Sequence, residues 1–249
     1  MTNTEQIMYL KNASPTTRPL QLICIRHAES VRNKAKRGTT FYADEDARSL
    51  VNGAPDYLVP LTDEGVVQAE RTGTYLRERF GAPDYIYHSG YLRTIQTVKG
   101  ILAAFPPDEQ AQMKVLMNQF IRERDPGYTY DMLTHEAHAT FPWLQDHWNM
   151  FGGFFARPPG GESLSDVSQR VYTFLDMLFR DCPGKRVWTV LHGGSLRTMR
   201  FILEGWDYDQ VLQWPKDQSP ENCGITVYNF NPVEERLVLQ EYNTVGWRG

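Results

Sequence analysis

The chain has 249 residues, 41% of them hydrophobic, and a formal net charge of −4. That is long enough for one large α/β domain, and it lacks the basic field that nucleic acid or an anionic membrane would recruit. Cys24, Cys182 and Cys223 are scattered and odd in number, no stretch is apolar for long enough to span a bilayer, and polar residues 1–17 lack the core of a signal peptide. A cytoplasmic protein with reduced thiols is expected, with neither nucleic acid nor membrane as partner.

Residues 1–18 read as a loose arm. Leu22-Ile23-Cys24-Ile25 is then a short, wholly apolar run that stops at Arg26-His27-Ala28-Glu29-Ser30. Such a run predicts a strand buried on both faces, as in a parallel sheet. In open α/β sheets ligands collect at the carboxyl ends of the strands. Arg26 and His27 therefore leave the core where such folds do chemistry. A guanidinium matches phosphate or carboxylate through paired hydrogen bonds, and an imidazole is a nucleophile or proton carrier near neutrality. Ser30 suits a cap.

Residues 34–56 form a polar insertion with a basic half (Lys34, Lys36, Arg37) and an acidic half (Asp44, Glu45, Asp46). A partly mobile cover for the mouth and a solvated loop are equally compatible with that pattern. Thr62 or Asp63 caps a helix whose stripe runs Val66, Ala69, Thr72, Gly73, Leu76, Phe80. A short strand, 84–88, leads into Ser89 to Thr94 and a second helix with stripe Ile95, Val98, Ile101, Leu102. Arg93 falls in its first turn, where helix N–H groups favour an anion. A strand follows over 114–120, then the charged knot Arg122-Glu123-Arg124-Asp125 before Pro126-Gly127. Charge runs are usually solvated. From there to Gly161 the chain is irregular and aromatic, which fits a helical cap. Trp143, Trp148 and Phe154 are its candidate walls.

Pro159-Gly160-Gly161-Glu162-Ser163 opens a strongly amphipathic helix (Leu164, Val167, Val171, Phe174, Leu175, Leu178, Phe179). Arg186 to Leu191 is a second buried-type strand, and it stops at His192-Gly193-Gly194-Ser195. Glycines there let backbone N–H groups approach an anion. A helix over 195–203 follows, then two antiparallel strands, 223–230 and 236–242, joined across Asn231-Pro232.

Two strands that each deliver a histidine, one of them with an arginine, resemble the histidine phosphatase (phosphoglycerate mutase-like) superfamily. Further motifs keep the same order over residues 20–243: Arg26 to Ser30 with Asn33 downstream, Leu61 to Gly65, Ser89 to Thr94, Glu123-Arg124 with Gly127, Pro159 to Ser163, and His192-Gly193-Gly194. Ala28 stands where the family usually has glycine. The resemblance implies a single domain over 1–249, with 34–58 and 121–161 inserted over the mouth. The implied fold is a three-layer α/β/α sandwich with a mostly parallel sheet, an antiparallel edge strand and a helical or loop cap.

It also implies a mechanism. Arg26, Asn33, Arg93, His192 and the Gly193 backbone would hold a phosphate, His27 would attack phosphorus, and Glu123 would serve as general acid and then base. Arginines take the place of a metal, so neither metal nor cofactor is expected. His135 and His138 lack the companions of a ligand set. The partner would be a small phosphorylated substrate, and the protein a monomer or homodimer.

Phosphomonoester hydrolysis is favoured over mutase transfer. Cofactor-dependent mutases are expected to carry an Arg-Arg pair and a lysine after the acid motif. Here residues 128–157 hold no lysine and only Arg157. A phospho-ligand binding module with little turnover is the remaining alternative. It has no chemical need for all of His27, Arg26, Arg93, His192 and Glu123.

Overall fold

The structure, a computed structural model, describes residues 17–51, 53–213 and 219–248. The arm read at 1–18 thus lies, apart from Thr17 and Arg18, outside the described residues. Six strands form one mixed sheet: β1 (Gln21–Arg26), β2 (Tyr85–His88), β3 (Lys114–Met117), β4 (Arg186–Leu191), β5 (Ile225–Asn231) and β6 (Arg236–Thr244), in the order β3-β2-β4-β1-β5-β6. β3, β2, β4 and β1 run parallel. β5 is antiparallel to β1, and β6 to β5. The antiparallel part is the pair of strands read over 223–230 and 236–242, with β6 at the edge of the sheet. Helices cover both faces, as a mostly parallel sheet requires.

Alternation along β1 and β4 explains why both runs are apolar throughout. Leu22, Cys24, Val187 and Leu191 enter the core on one face, against Val167, Val171, Phe174 and Leu178 of an 18-residue helix, Leu164–Asp181. Ile23, Ile25, Trp188 and Val190 enter the core on the other, against Leu76, Val98 and Ile101. Those last three lie on the helices Asp63–Phe80 and Leu92–Leu102. These two helices cross closely enough that a Cβ on Gly73 would sit 2.5 Å from the Ile101 carbonyl oxygen.

Two stripe residues differ from the reading. Val66 and Ile95 are exposed, and Gln68 and Thr97 are buried instead. The reason is polar. Gln68 accepts a hydrogen bond from the Glu29 N–H (3.0 Å), and Thr97 accepts one from the Ala28 N–H (3.0 Å). The loop after β1 keeps its amides satisfied by borrowing side chains from the helices beneath it. β3 is also shorter than read. Asn118 turns the chain into a 3-10 segment, Gln119–Ile121, by accepting from the Phe120 N–H.

The insertion is built rather than featureless. Asp44 caps a short helix, Glu45–Ser49, and Asp56–Leu58 forms a 3-10 turn. Tyr42, Val51 and Val59 share a small core with Leu133 of the aromatic segment. The two segments read as insertions are thereby packed together above the carboxyl ends of the strands. No helix among the described residues is long and apolar enough to cross a membrane.

Candidate active site

Strand register brings the two histidines together. Arg26 pairs with Leu191 in the parallel ladder, so the next residues, His27 and His192, emerge side by side. The His27 N–H donates to the Leu191 carbonyl at 2.9 Å. The ring centroids lie 5.1 Å apart at 62°. Both residues are almost fully buried.

The His27 ring is held in one tautomer. Its Nδ1–H donates to the Ala28 carbonyl at 2.7 Å, which leaves the Nε2 lone pair free. Burial, then the charges of Arg93 and Arg26, hold its pKa well below the usual histidine value. His192 is depressed in the same way by burial and by Arg93, His27 and Arg26. Its Nε2 lies 2.8 Å from Ser89 Oγ, and Ser89 Oγ lies 3.0 Å from Thr94 Oγ1. The Thr94 hydroxyl donates to the Tyr91 carbonyl at 2.7 Å. Proton order along this chain makes Ser89 the donor to Thr94 and His192 Nε2–H the donor to Ser89. His192 Nδ1 is then an unprotonated, buried nitrogen with no hydrogen-bond partner among the described residues.

Arg26 follows the same strand. Its Nη1 donates to the Pro220 carbonyl at 2.5 Å, while Nε is buried without a partner among the described residues. Arg93, in the first turn of Leu92–Leu102, is 3% exposed. Asp56 clamps it: Nη1 donates to the Asp56 carbonyl (2.7 Å) and to Oδ1 (3.1 Å), and Nη2 donates to Oδ2 (3.3 Å). Asp56 also pairs with Arg32 at 2.7 Å. Burial alone would raise the Asp56 pKa, but Arg93 and Arg32 outweigh it and hold the carboxyl below its usual value.

Asn33 lies in a short helix, Val31–Lys36, capped by Ser30. Its Oδ1 accepts from the Ser30 N–H (3.2 Å) and from Asn222 Nδ2 (3.1 Å), so its own amide N–H groups are turned elsewhere. Asn222 Nδ2 also donates to the His27 carbonyl at 2.9 Å.

Glu123 closes the site from above. Its Oε2 lies 3.9 Å from His192 Nδ1, and its Oε1 accepts from the Arg124 N–H at 2.8 Å. The charged knot that carries it is cross-braced rather than solvated. Arg170 donates to the carbonyls of Phe120 (2.7 Å), Arg122 (2.8 Å) and Glu123 (3.1 Å). Glu162 accepts from Arg122, Arg170 and the Asp125 N–H. Gly127 (φ +60°) lets the knot touch the Pro159–Gly161 loop, since a Cβ there would fall 2.2 Å from the Pro159 carbonyl oxygen. That contact gives the Pro-Gly-Gly-Glu-Ser segment its physical purpose.

Arg26, His27, Asn33, Arg93, Glu123, Gly193 and Gly194 all line one cavity of about 790 Å³; His192 is fully buried and does not line it, its ring centroid lying 5.1 Å from that of His27. Of the three aromatic walls read from the sequence, only Trp148 lines it. Trp143 is half exposed outside the cavity, and Phe154 is buried with Leu164 and Val211 because a kink at Gly152 turns it inward. Asp56 and Arg170 escaped the sequence reading, because long-range contacts join them to the site. Ser89 falls inside the Ser89 to Thr94 motif and Asn222 inside Pro220-Glu221-Asn222-Cys223, but the sequence assigned neither a role. Among the described residues no group of three or more His, Cys, Asp or Glu side chains is placed to hold a metal ion.

The fold agrees with comparisons to known proteins. A family model described as "Histidine phosphatase superfamily (branch 1)" matches residues 22–243. A 2,3-bisphosphoglycerate-dependent phosphoglycerate mutase of Methylobacterium radiotolerans is 31% identical over 193 residues, covering 76% of this chain and 82% of that protein. A phosphoglycerate mutase-like protein of Arabidopsis thaliana is 30% identical over 235 residues, covering 87% of this chain and 76% of its own. Among solved structures, the α-ribazole phosphatase of Shigella flexneri superposes with a TM-score of 0.69 at 20% identity, covering 90% of this chain and 96% of that one. A mycobacterial glucosyl-3-phosphoglycerate phosphatase gives 0.67 at 20% identity, covering 90% and 99%. The chain belongs to branch 1 of the histidine phosphatase superfamily.

Proposed function

We propose that the protein hydrolyses phosphomonoesters through a phosphohistidine on His27. The observation that carries this reading is the His27 tautomer: Nδ1–H is committed to the Ala28 carbonyl, and the Nε2 lone pair is left as nucleophile beside two arginines and a second imidazole. The ester enters as a dianion. Arg26, Arg93, Asn33 and the Gly193 N–H hold its oxygens and match the charge that spreads over them in the transition state. An oxygen docked against His192 Nδ1 needs a proton there, and the incoming dianion raises the His192 pKa to supply that need. His27 Nε2 attacks in line, the P–O ester bond breaks, and Glu123 gives its proton to the departing alkoxide. The same carboxylate then takes a proton from the water that attacks phosphohistidine.

Mutase transfer is the second reading, favoured by the names of the sequence relatives at about 30% identity. Against it stands the cap. Arg157, the lone basic residue of 128–157 other than histidine, pairs with Asp166 at 2.5 Å and does not line the cavity. Several structural neighbours, at 19–20% identity, carry phosphatase names.

The test is a ³¹P assay on two substrates: p-nitrophenyl phosphate alone, and 3-phosphoglycerate with 2,3-bisphosphoglycerate. Release of inorganic phosphate from the first, with no 2-phosphoglycerate from the second, is expected. Phosphoglycerate interconversion outrunning hydrolysis would overturn the proposal.

A further inference from the structure

A loop in strained backbone stands behind the nucleophile. Residues 220–223 wrap the end of β1. Arg26 Nη1 donates to the Pro220 carbonyl (2.5 Å), and the Cys223 N–H donates to the Arg26 carbonyl (3.0 Å). Asn222 Nδ2 donates to the His27 carbonyl (2.9 Å) and to Asn33 Oδ1 (3.1 Å). Three residues of the phosphate site thus take their bearings from one short segment. That segment is not relaxed by itself. Cys223 has φ 56°, in the left-handed region, where a residue with a Cβ persists only when its surroundings hold it.

Much of what holds it comes from the end of the chain. After β6 a 3-10 turn, Gly246–Arg248, lies against the helix Asp63–Phe80, where a Cβ on Gly246 would fall 2.3 Å from the Tyr75 ring. Trp247 Nε1–H donates to the Asn222 carbonyl at 3.1 Å, and the indole packs on Ala28, Leu61, Ala69 and Cys223. Asn243 Oδ1 accepts from the Glu221 N–H at 2.7 Å, and Arg248 pairs with the Glu221 carboxylate. Gly224 permits that approach, since a Cβ there would lie 2.2 Å from Asn243 Oδ1. Neither Trp247 nor Asn243 lines the cavity. Their hydrogen bonds reach the site through the loop.

We propose that Trp247 is a positioning residue for phosphoryl transfer: with Asn243 it latches the 220–223 loop from behind and so fixes the Arg26 guanidinium and the His27 backbone. The catalytic part of this inference rests on the phosphohistidine reading; the latch does not. An aimed guanidinium counts most where charge spreads in the transition state, so a loosened loop costs the transition state more than the ground state.

The test compares two anions on the full chain. Orthovanadate takes up a five-coordinate, transition-state-like geometry on an imidazole, and inorganic phosphate stays tetrahedral. Trp247→Phe keeps a ring and removes the N–H. It should weaken vanadate about tenfold or more and phosphate by no more than about twofold, and lower kcat for p-nitrophenyl phosphate more than it raises KM. Asn243→Gly, which tolerates the native φ of 57° and removes the amide, should shift the vanadate-to-phosphate ratio the same way. Phe105→Leu, in the core against Trp188 and away from the loop, lowers the melting temperature and should leave that ratio unchanged. Equal weakening of both anions, an unchanged ratio in either latch variant, or as large a shift in Phe105→Leu would overturn the proposal. So would a parent protein that binds vanadate no tighter than phosphate. The expected shifts in a protein that hydrolyses no phosphomonoester would overturn the hydrolase reading and leave the latch standing.

Discussion

Arg93 is held by Asp56: three hydrogen bonds run from a guanidinium 3% exposed to a residue that lies in the segment inserted between β1 and the first long helix. The insertion thus reaches into the floor of the site. It supplies hydrogen-bond partners to an arginine that the strand-and-helix frame holds by stacking on the Tyr91 ring (4.7 Å), and Arg32 shares the same carboxylate.

Replacing Asp56 by Ala is expected to cost both stability and substrate affinity. Breaking a buried ion pair by removing one partner costs roughly 3–5 kcal/mol. KM for p-nitrophenyl phosphate should rise about tenfold or more, with a smaller change in kcat. Thermal melts with and without inorganic phosphate distinguish positioning from mere scaffolding. Phosphate should raise the melting temperature of the variant less than that of the parent, because a site that binds the anion more weakly gains less from it; an unchanged increment would mean that Asp56 only scaffolds.

Glu123→Gln removes the proton donor. Alkyl phosphates, whose alkoxide leaves poorly, should slow by about 10²-fold or more, and p-nitrophenyl phosphate by much less. Equal slowing of both classes, measured as kcat, would argue against an acid role.

Gly194→Ala tests the same carboxylate without touching it. A Cβ at that position would lie 2.7 Å from Glu123 Oε1 and 3.3 Å from Leu164 Cδ2, so the acid must move aside. Alkyl phosphate turnover should fall about tenfold or more, with far-ultraviolet circular dichroism and melting temperature little changed. Full activity in this variant would mean that Glu123 need not occupy its observed place.

The histidines make stability depend on pH. His27 and His192 have folded-state pKa values pushed well below the unfolded value near 6.5, chiefly by burial. Below about pH 6.5 the unfolded chain binds protons that the folded site refuses, so this part of the stability is intact above that pH and lost as pH falls beneath it. His88, lowered by burial, adds in the same direction. Asp56 acts only at lower pH, because its pKa is lowered from a carboxylate value. Melting temperature should therefore drop between pH 7 and pH 5, and His27→Gln should flatten that drop. An unchanged slope in the variant would count against a buried neutral imidazole.

Much of this arrangement was legible in the sequence because it rests on local rules. β1 and β4 announce themselves as apolar runs because both faces are buried, and each histidine follows the last strand residue. Their adjacency then follows from parallel register. Arg93 was readable from its place in a helix's first turn. Asp56 was not, because its purpose lies in contacts with residues 24 and 37 positions away, Arg32 and Arg93. The knot around Glu123 looked like solvated surface because Arg170, which braces it from 47 positions away, reads from the sequence as one more polar residue on an amphipathic helix. Phe154 and Trp148 were indistinguishable as walls until the kink at Gly152 separated their directions.

The central claim is a covalent phosphoryl group on His27, and rapid quench with ³²P-labelled substrate measures it most directly. The account predicts a label that is lost in acid and survives alkali, that maps to the tryptic peptide spanning residues 27–32, and that is absent from His27→Ala protein. Turnover without any such labelled species, or label on another residue, would contradict it.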